Sequence, residues 1–197
     1  MTHIIGLTGS IGMGKSTTAA MFEKSGIPVW DADSTVHQLY AKGGAAVGPI
    51  GIEFPDAVKD GGINRSTLKS IIQSDPTVLK RIEQIVHPLV AQERQKFIQE
   101  TQSDIIVLDI PLLFETGADQ WVDTVVCVSV SADIQRNRVL ERPGMTASQL
   151  DMILSKQMPN EEKCKQADFV VETETLNAAQ IQVDAIIQKI KGQIANA

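Results

Sequence analysis

Apolar positions along this chain follow two rhythms. Short, nearly continuous and β-branched runs occur at residues 4–8, 27–31, 105–110, 124–130 and 169–171. Runs of that kind suit parallel strands covered on both faces. Longer stretches with apolar residues three and four apart separate them, which is the helical period. One predicted helix leads from the glycine-rich segment after Thr8 to about Lys24. A second follows Asp75-Pro76, because a first helical turn tolerates proline, and carries Leu79, Ile82, Val86, Leu89 and Val90 at that spacing. Thr146 and Gln149 are spaced as a capping box opening a helix toward Gln157. The last predicted helix covers about 178–191 with Ile181, Ile186, Ile187 and Ile190. This alternation predicts an α/β fold, three-layer α/β/α, with a mainly parallel five-stranded sheet and crossover helices.

One interval breaks the pattern. Residues 32–104 separate the second and third strands, far more than one crossover helix needs. The first half holds Gly43, Gly44, Gly48, Gly51, Gly61 and Gly62, and the second half is the long helix. We read it as an inserted helical substrate-binding subdomain, about 32–103, within a single domain. The core then comprises about 1–31, 104–130 and 166–197.

Composition narrows the class. With 197 residues, 43% of them hydrophobic and 21% charged, the chain can bury a sizeable core. A net charge of -6 provides no basic surface for nucleic acid. Cys127 and Cys164 are far apart in sequence and have few histidines to join them, which argues against a zinc site or disulfide framework and for a reducing compartment. Cys127, inside an apolar run, reads as a core residue. No apolar stretch approaches ~18 residues, and no signal peptide is evident. The expectation is a cytoplasmic protein with no membrane partner and no obligate protein partner.

The strongest chemical signal is Gly9-Ser10-Ile11-Gly12-Met13-Gly14-Lys15-Ser16, which matches GxxxxGK[ST] between a strand run and an amphipathic segment starting at Thr17. Glycines let the backbone wrap an anion so that successive N–H groups point inward, and the following helix adds its positive end. Lys15 can reach the β- and γ-phosphates of ATP, and the Ser16 hydroxyl can ligate Mg²⁺. The expected nucleotide contacts are Gly9, Ser10, Ile11, Gly12, Met13, Gly14, Lys15, Ser16 and Thr17, with Arg142 added from further along the chain.

Acidic and basic residues follow at strand ends and on a helix. Asp31-Ala32-Asp33 closes the second strand, where ligands of open α/β sheets collect. Asp33 fits the carboxylate that accepts a hydroxyl proton, with His37 one turn on; Asp31 reads either as a helix cap or as a functional group. Asp109 ends the third strand and resembles a Mg²⁺-holding aspartate, so Asp31 and Asp109 both stay open as aids to the metal. Arg138 and Arg142 are one helical turn apart and suit phosphate oxygens. Their segment, 131–165, carries six Lys or Arg against five Asp or Glu and reads as a helical lid.

Taken in order, the P-loop, Asp31-Ala32-Asp33 with His37 and Leu39, Gly62-Ile63-Asn64-Arg65, His87-Pro88, Pro111-Leu112-Leu113-Phe114-Glu115, Gln135 with Arg138 and Arg142, and Gln157-Met158-Pro159 resemble dephospho-coenzyme A kinases. The likeness runs from about residue 4 to 172. It implies a P-loop NTPase-type kinase that moves the γ-phosphoryl of ATP to the ribose 3′-hydroxyl of dephospho-coenzyme A, with Mg²⁺. By position it makes Asp33 the catalytic base, assisted by Lys15 and Arg138. The same resemblance puts Asp33, Arg65, His87, Leu113, Phe114 and Glu115 against the acceptor. The chain departs from the family pattern at Met152, where arginine is frequent, and at Thr173 and Thr175, where Asn and Gly are. Another small-molecule kinase on this scaffold, or a switch-type NTPase, are the competing readings; the chain lacks an Asn-Lys-x-Asp segment that would read guanine.

Overall fold

A computed structural model describes residues 2–196; Met1 and Ala197, the ends of the expected core, lie outside the described residues. In chain order the elements are β1 (His3–Thr8), α1 (Lys15–Lys24), β2 (Val29–Asp31), α2 (Ala32–Tyr40), α3 (Val47–Glu53), β3 (Val58–Lys59), β4 (Gly62–Ile63), α4 (Arg65–Ser74) and α5 (Thr77–Glu100). They continue with β5 (Ile105–Asp109), β6 (Thr124–Ser129), α6 (Ala132–Leu140), α7 (Ala147–Leu154), α8 (Asn160–Gln166), β7 (Phe169–Glu172) and α9 (Leu176–Ala195). The chain divides into two compact units: the described residues through Trp30 with those from Gln102 onward, and Asp31–Thr101.

The first unit is built on a five-stranded sheet ordered β2-β5-β1-β6-β7. β1 runs parallel to both β5 and β6, and β6 runs parallel to β7. The predicted α/β class and mainly parallel sheet are both found. β5 is buried along its whole length, which explains why it reads as unbroken apolar sequence. Ile5, Leu7, Val107, Val126 and Val128 from the sheet share one core with Phe22 of α1 and with Val183, Ile186 and Ile190 of α9. The carboxyl ends of β1, β5, β6 and β7 therefore lie along one edge of the sheet.

Several boundaries moved for local reasons. β2 starts at Val29 rather than Ile27 because Pro28 has no N–H to give a ladder; its carbonyl accepts the Val107 N–H at 2.9 Å. α9 starts two residues before the expected point because Thr175 caps it, accepting the Ala178 N–H at 3.2 Å. On α9 the inward stripe is Ala179, Val183, Ile186, Ile187 and Ile190, and Ile181 is exposed. The Thr146–Gln149 capping box forms in full, but α7 ends at Leu154, short of Gln157.

The second unit packs α2, α3, α4 and α5 with the β3–β4 hairpin around Leu39, Ile50, Phe54, Leu68, Val78, Ile82 and Val86. The inward stripe of α5 is Val78, Ile82 and Val86, so the expected Leu79 is replaced by its neighbour and lies exposed. α5 continues through Pro88. The carbonyl this proline leaves without a helical partner is that of Gln84, on the exposed side where water can serve it. Among the described residues no helix is long and apolar enough to cross a membrane.

Candidate active site

The loop between β1 and α1 takes the shape its glycines permit. Gly14 precedes the first helical residue with φ 93° and no side chain caps α1. A Cβ on Gly14 would lie 2.9 Å from the Thr173 hydroxyl oxygen, and one on Gly12 (φ 80°) would lie 2.5 Å from a Val139 methyl. L-residues with side chains disfavour that backbone region, so both positions need glycine twice over. The uncapped first turn of α1, with no acidic residue in it, leaves its N–H groups for an anion.

Two charges meet behind this loop. The Lys15 ammonium pairs with the Asp109 carboxylate, which is fully buried at the end of β5, level with Leu7 of β1. A buried carboxylate needs such a partner, because its desolvation alone costs several kcal/mol. Ser16, the next residue, is exposed at the start of α1. A hydroxyl and a carboxylate are the hard oxygen donors that Mg²⁺ coordination takes. Among the described residues no group of three His, Cys, Asp or Glu could hold a metal by itself.

Side chains from 131–165 and from the β7–α9 connection hold the loop from outside. Asn160 accepts the Ser10 N–H at 2.9 Å, and Gln157 accepts the Ile11 N–H at 3.3 Å. Gln135 donates to the Ile11 carbonyl at 2.8 Å. Thr173 donates its hydroxyl to the Met13 carbonyl at 2.7 Å. The same Thr173 receives Arg138, whose Nη1 reaches the hydroxyl at 3.1 Å and whose Nη2 reaches the carbonyl at 2.6 Å. Arg138 and Arg142 line one cavity of about 330 Å³ together with Gly12, Gly14, Thr17, Thr18, Thr173 and Thr175. That volume is at the lower end of ordinary small-ligand pockets, ~300–1,000 Å³. Arg142 lies beyond the end of α6 at Leu140, so the expected one-turn helical spacing is replaced by a turn that still brings both guanidiniums to the same cavity.

Two residues of the Pro111–Glu115 segment are bound into the nucleotide unit itself. Leu113 is fully buried against β1, its Cδ1 lying where a Cβ on Gly6 would be 2.9 Å away, so it packs as core. Glu115 is already engaged. Its carboxylate accepts the Met158 N–H at 2.8 Å and pairs at 2.9 Å with Lys163, a lysine with no exposed side-chain surface. Burial works to raise the Glu115 carboxyl, but hydrogen bonds from Lys163 and from the Glu115 and Met158 N–H groups, with the lysine charge, hold it below its ordinary value. Lys163 also donates to the Pro111 carbonyl at 3.0 Å, tying α8 to the end of β5. Phe114 is half-buried.

In the second unit Asp31 caps α2, its carboxylate accepting the Ser34 N–H while its carbonyl accepts the Thr35 hydroxyl at 2.9 Å. Asp33 is exposed in the first turn of α2, one turn before His37. Arg65, which opens α4 after the Asn64 cap, reaches His37 Nε2 at 2.7 Å. His87 is exposed on α5 beside Pro88. Sequence reasoning missed Asn160, Lys163 and the anchoring role of Thr173. Thr173 left a trace as a departure from the family pattern; Asn160 and Lys163 sit in a polar helix segment that reads as a solvated face.

A glycine-rich anion loop after β1, a lysine on the aspartate that ends β5 and a parallel sheet in this order define a P-loop kinase. The family model for dephospho-CoA kinase matches residues 3–179. The dephospho-CoA kinase of Ruegeria pomeroyi is 55% identical over 191 residues, covering 97% of each chain. A crystal structure of a Thermus thermophilus protein aligns with 31% identity and a TM-score of 0.84, over 95% of this chain and 97% of its own. In fold the chain also resembles the dephospho-CoA kinase of Campylobacter jejuni, at 24% identity and a TM-score of 0.73, over 98% and 100% of the two chains. The chain belongs to the dephospho-CoA kinase family.

Proposed function

We infer that this kinase transfers the γ-phosphoryl group of ATP to the ribose 3′-hydroxyl of dephospho-coenzyme A, giving coenzyme A and ADP. Its family membership over nearly the whole chain carries the acceptor, and the P-loop with Lys15 carries the donor. The loop N–H groups and the start of α1 hold the phosphates. Lys15 exchanges Asp109 for phosphate oxygens as the nucleotide enters, which keeps the ammonium paired throughout. Ser16 and Asp109 are the groups that would hold Mg²⁺, directly or through water; the ion supplies charge neutralisation on the phosphate oxygens. Arg142 and Arg138 face the nucleotide, Arg138 already oriented by Thr173. Residues 131–165 act as the lid that limits water, and residues 32–103 supply acceptor contacts, with Arg65 and His87 among them and Phe114 added from the core.

Asp33 is the proposed base. It follows the carboxyl end of β2 by two residues, and ligands of open α/β sheets gather beyond such ends. Its carboxylate takes the 3′-hydroxyl proton as the oxygen attacks in line and the β–γ bridging bond breaks toward ADP. Loss of a positioned base typically costs ~10²–10⁴-fold. Two free thiols suit a reducing, cytoplasmic setting.

The test is ADP release from Mg-ATP with and without dephospho-coenzyme A, with Asp33→Asn as control. Acceptor-dependent turnover yielding coenzyme A, reduced at least ~10²-fold in the variant with ATP still bound, is the expected result. ADP release indifferent to that acceptor would remove the substrate assignment, and near-normal turnover of the variant would remove the base.

A further inference from the structure

Two thiols meet beside the phosphate-binding loop and take no part in phosphoryl transfer. Cys127 is fully buried in β6, Cys164 is half-buried on α8, and their sulfurs are 3.6 Å apart. Thirty-seven positions of sequence hide this contact. One side chain joins the pair to the loop. Asn160, one turn before Cys164 on α8, has its Nδ2 3.6 Å from the Cys164 sulfur while the same group donates to the Val128 carbonyl at 3.2 Å. Its Oδ1 accepts the Ser10 N–H.

We propose that Cys127 and Cys164 form a peroxide-oxidisable dithiol whose disulfide state pulls Asn160 off Ser10 and weakens nucleotide binding. Cys164 reacts first, because Cys127 is sealed from solvent. Burial, and then the neighbouring Cys164, also push the Cys127 thiol up, so it carries little thiolate. The Cys164 thiolate attacks one oxygen of hydrogen peroxide and the O–O bond breaks. Hydroxide leaves and takes a proton as water, and Cys164 becomes a sulfenic acid. The Cys127 sulfur then attacks the Cys164 sulfur and the S–O bond breaks. Hydroxide leaves with the Cys127 proton as a second water. Two thiols and one peroxide thus give one disulfide and two waters, with both sulfurs oxidised and both peroxide oxygens reduced. A small dithiol reverses the change by exchange.

The geometry explains why the loop feels it. Sulfurs now 3.6 Å apart must close to ~2.05 Å, a movement of about 1.5 Å. β6 is fixed between β1 and β7, so the seven-residue α8 does most of the moving. The Asn160–Ser10 bond is 2.9 Å long and is lost beyond ~3.5 Å. A shift well under the required closure is enough to break it. One such bond is worth at most about tenfold in an equilibrium constant, which sets the ceiling on the loss of nucleotide affinity.

The full chain is treated with hydrogen peroxide and followed by intact mass, thiol alkylation and the Kd of a fluorescent ATP analogue. The expected result is a monomer lighter by two hydrogens, with both thiols blocked, restored by dithiothreitol, and a Kd weaker by up to about tenfold only while oxidised. Cys164→Ser, with Cys164→Ala as a second variant, keeps its Kd under the same treatment. Asn160→Ala weakens binding without any oxidant. A monomer that keeps both thiols, gains oxygen atoms instead, or forms a disulfide-linked dimer overturns the dithiol. An intramolecular disulfide with unchanged Kd overturns the link to the loop. The mass and thiol readouts do not depend on the kinase assignment, so the two can fail separately.

Discussion

Lys163 offers the sharpest test of how the nucleotide unit holds together. Its side chain has no exposure, and its ammonium bonds the Pro111 carbonyl at 3.0 Å and Glu115 at 2.9 Å. Lys163→Met keeps most of the apolar stem and deletes the charge. The Pro111 carbonyl retains the Thr8 hydroxyl at 3.1 Å, so it is not orphaned. Among the described residues Glu115 then keeps the Met158 N–H, with 19% of its side chain exposed. Removing one member of a buried pair costs ~3–5 kcal/mol, and the partial exposure of Glu115 puts this case near about 3 kcal/mol. For a chain of this size that is a fall in Tm of about 6–12 °C. Urea unfolding followed by tryptophan fluorescence reads the right unit, since Trp30 and Trp121 both lie in it. Glu115→Gln leaves the buried ammonium its Pro111 carbonyl but no counter-charge, and is also costly. The double variant should be more stable than the sum of the two losses by at least ~1 kcal/mol. A loss below about 1 kcal/mol for Lys163→Met, or strict additivity, would refute the pair as a tie between α8 and the end of β5.

Other outcomes follow from the same geometry. Because the folded Glu115 carboxyl is held low, its stabilisation is complete above the ordinary carboxylate range of ~4.3 and is lost as pH falls through the lower folded value. Wild type should therefore lose more stability than Glu115→Gln on acidification from pH ~5 to ~3, measured by urea midpoints; parallel curves would contradict this. Gly14→Ala forces a side chain into a left-handed position against Thr173, costing ~1–2 kcal/mol from the backbone alone, and should weaken ATP binding at least ~tenfold by calorimetry. Thr173→Val removes the hydroxyl that joins Met13 to Arg138. It should raise KM for ATP ~5–10-fold with a smaller change in kcat, and an unchanged KM would show that Arg138 needs only the Thr173 carbonyl.

What the sequence determined by itself was local and periodic. The buried parallel strands are legible because both faces of β5 and β6 are covered, leaving no polar position to interrupt the apolar run. The P-loop is legible because a tight anion cradle requires glycines at set intervals before a helix, and the Thr146–Gln149 cap because both its bonds close within one turn. Asp31 was left open and proved to be a cap for the same local reason. Tertiary structure decided which side chains meet across long separations. Leu113 had to fill the space that Gly6 leaves, so a residue in an acceptor-like motif became core. Lys163 reached Glu115 across 48 positions, Asn160 reached Ser10 across 150, and Thr173 reached Met13 across 160. None of those distances leaves a periodic mark, because packing brings those residues together and no short-range rule of the backbone relates them.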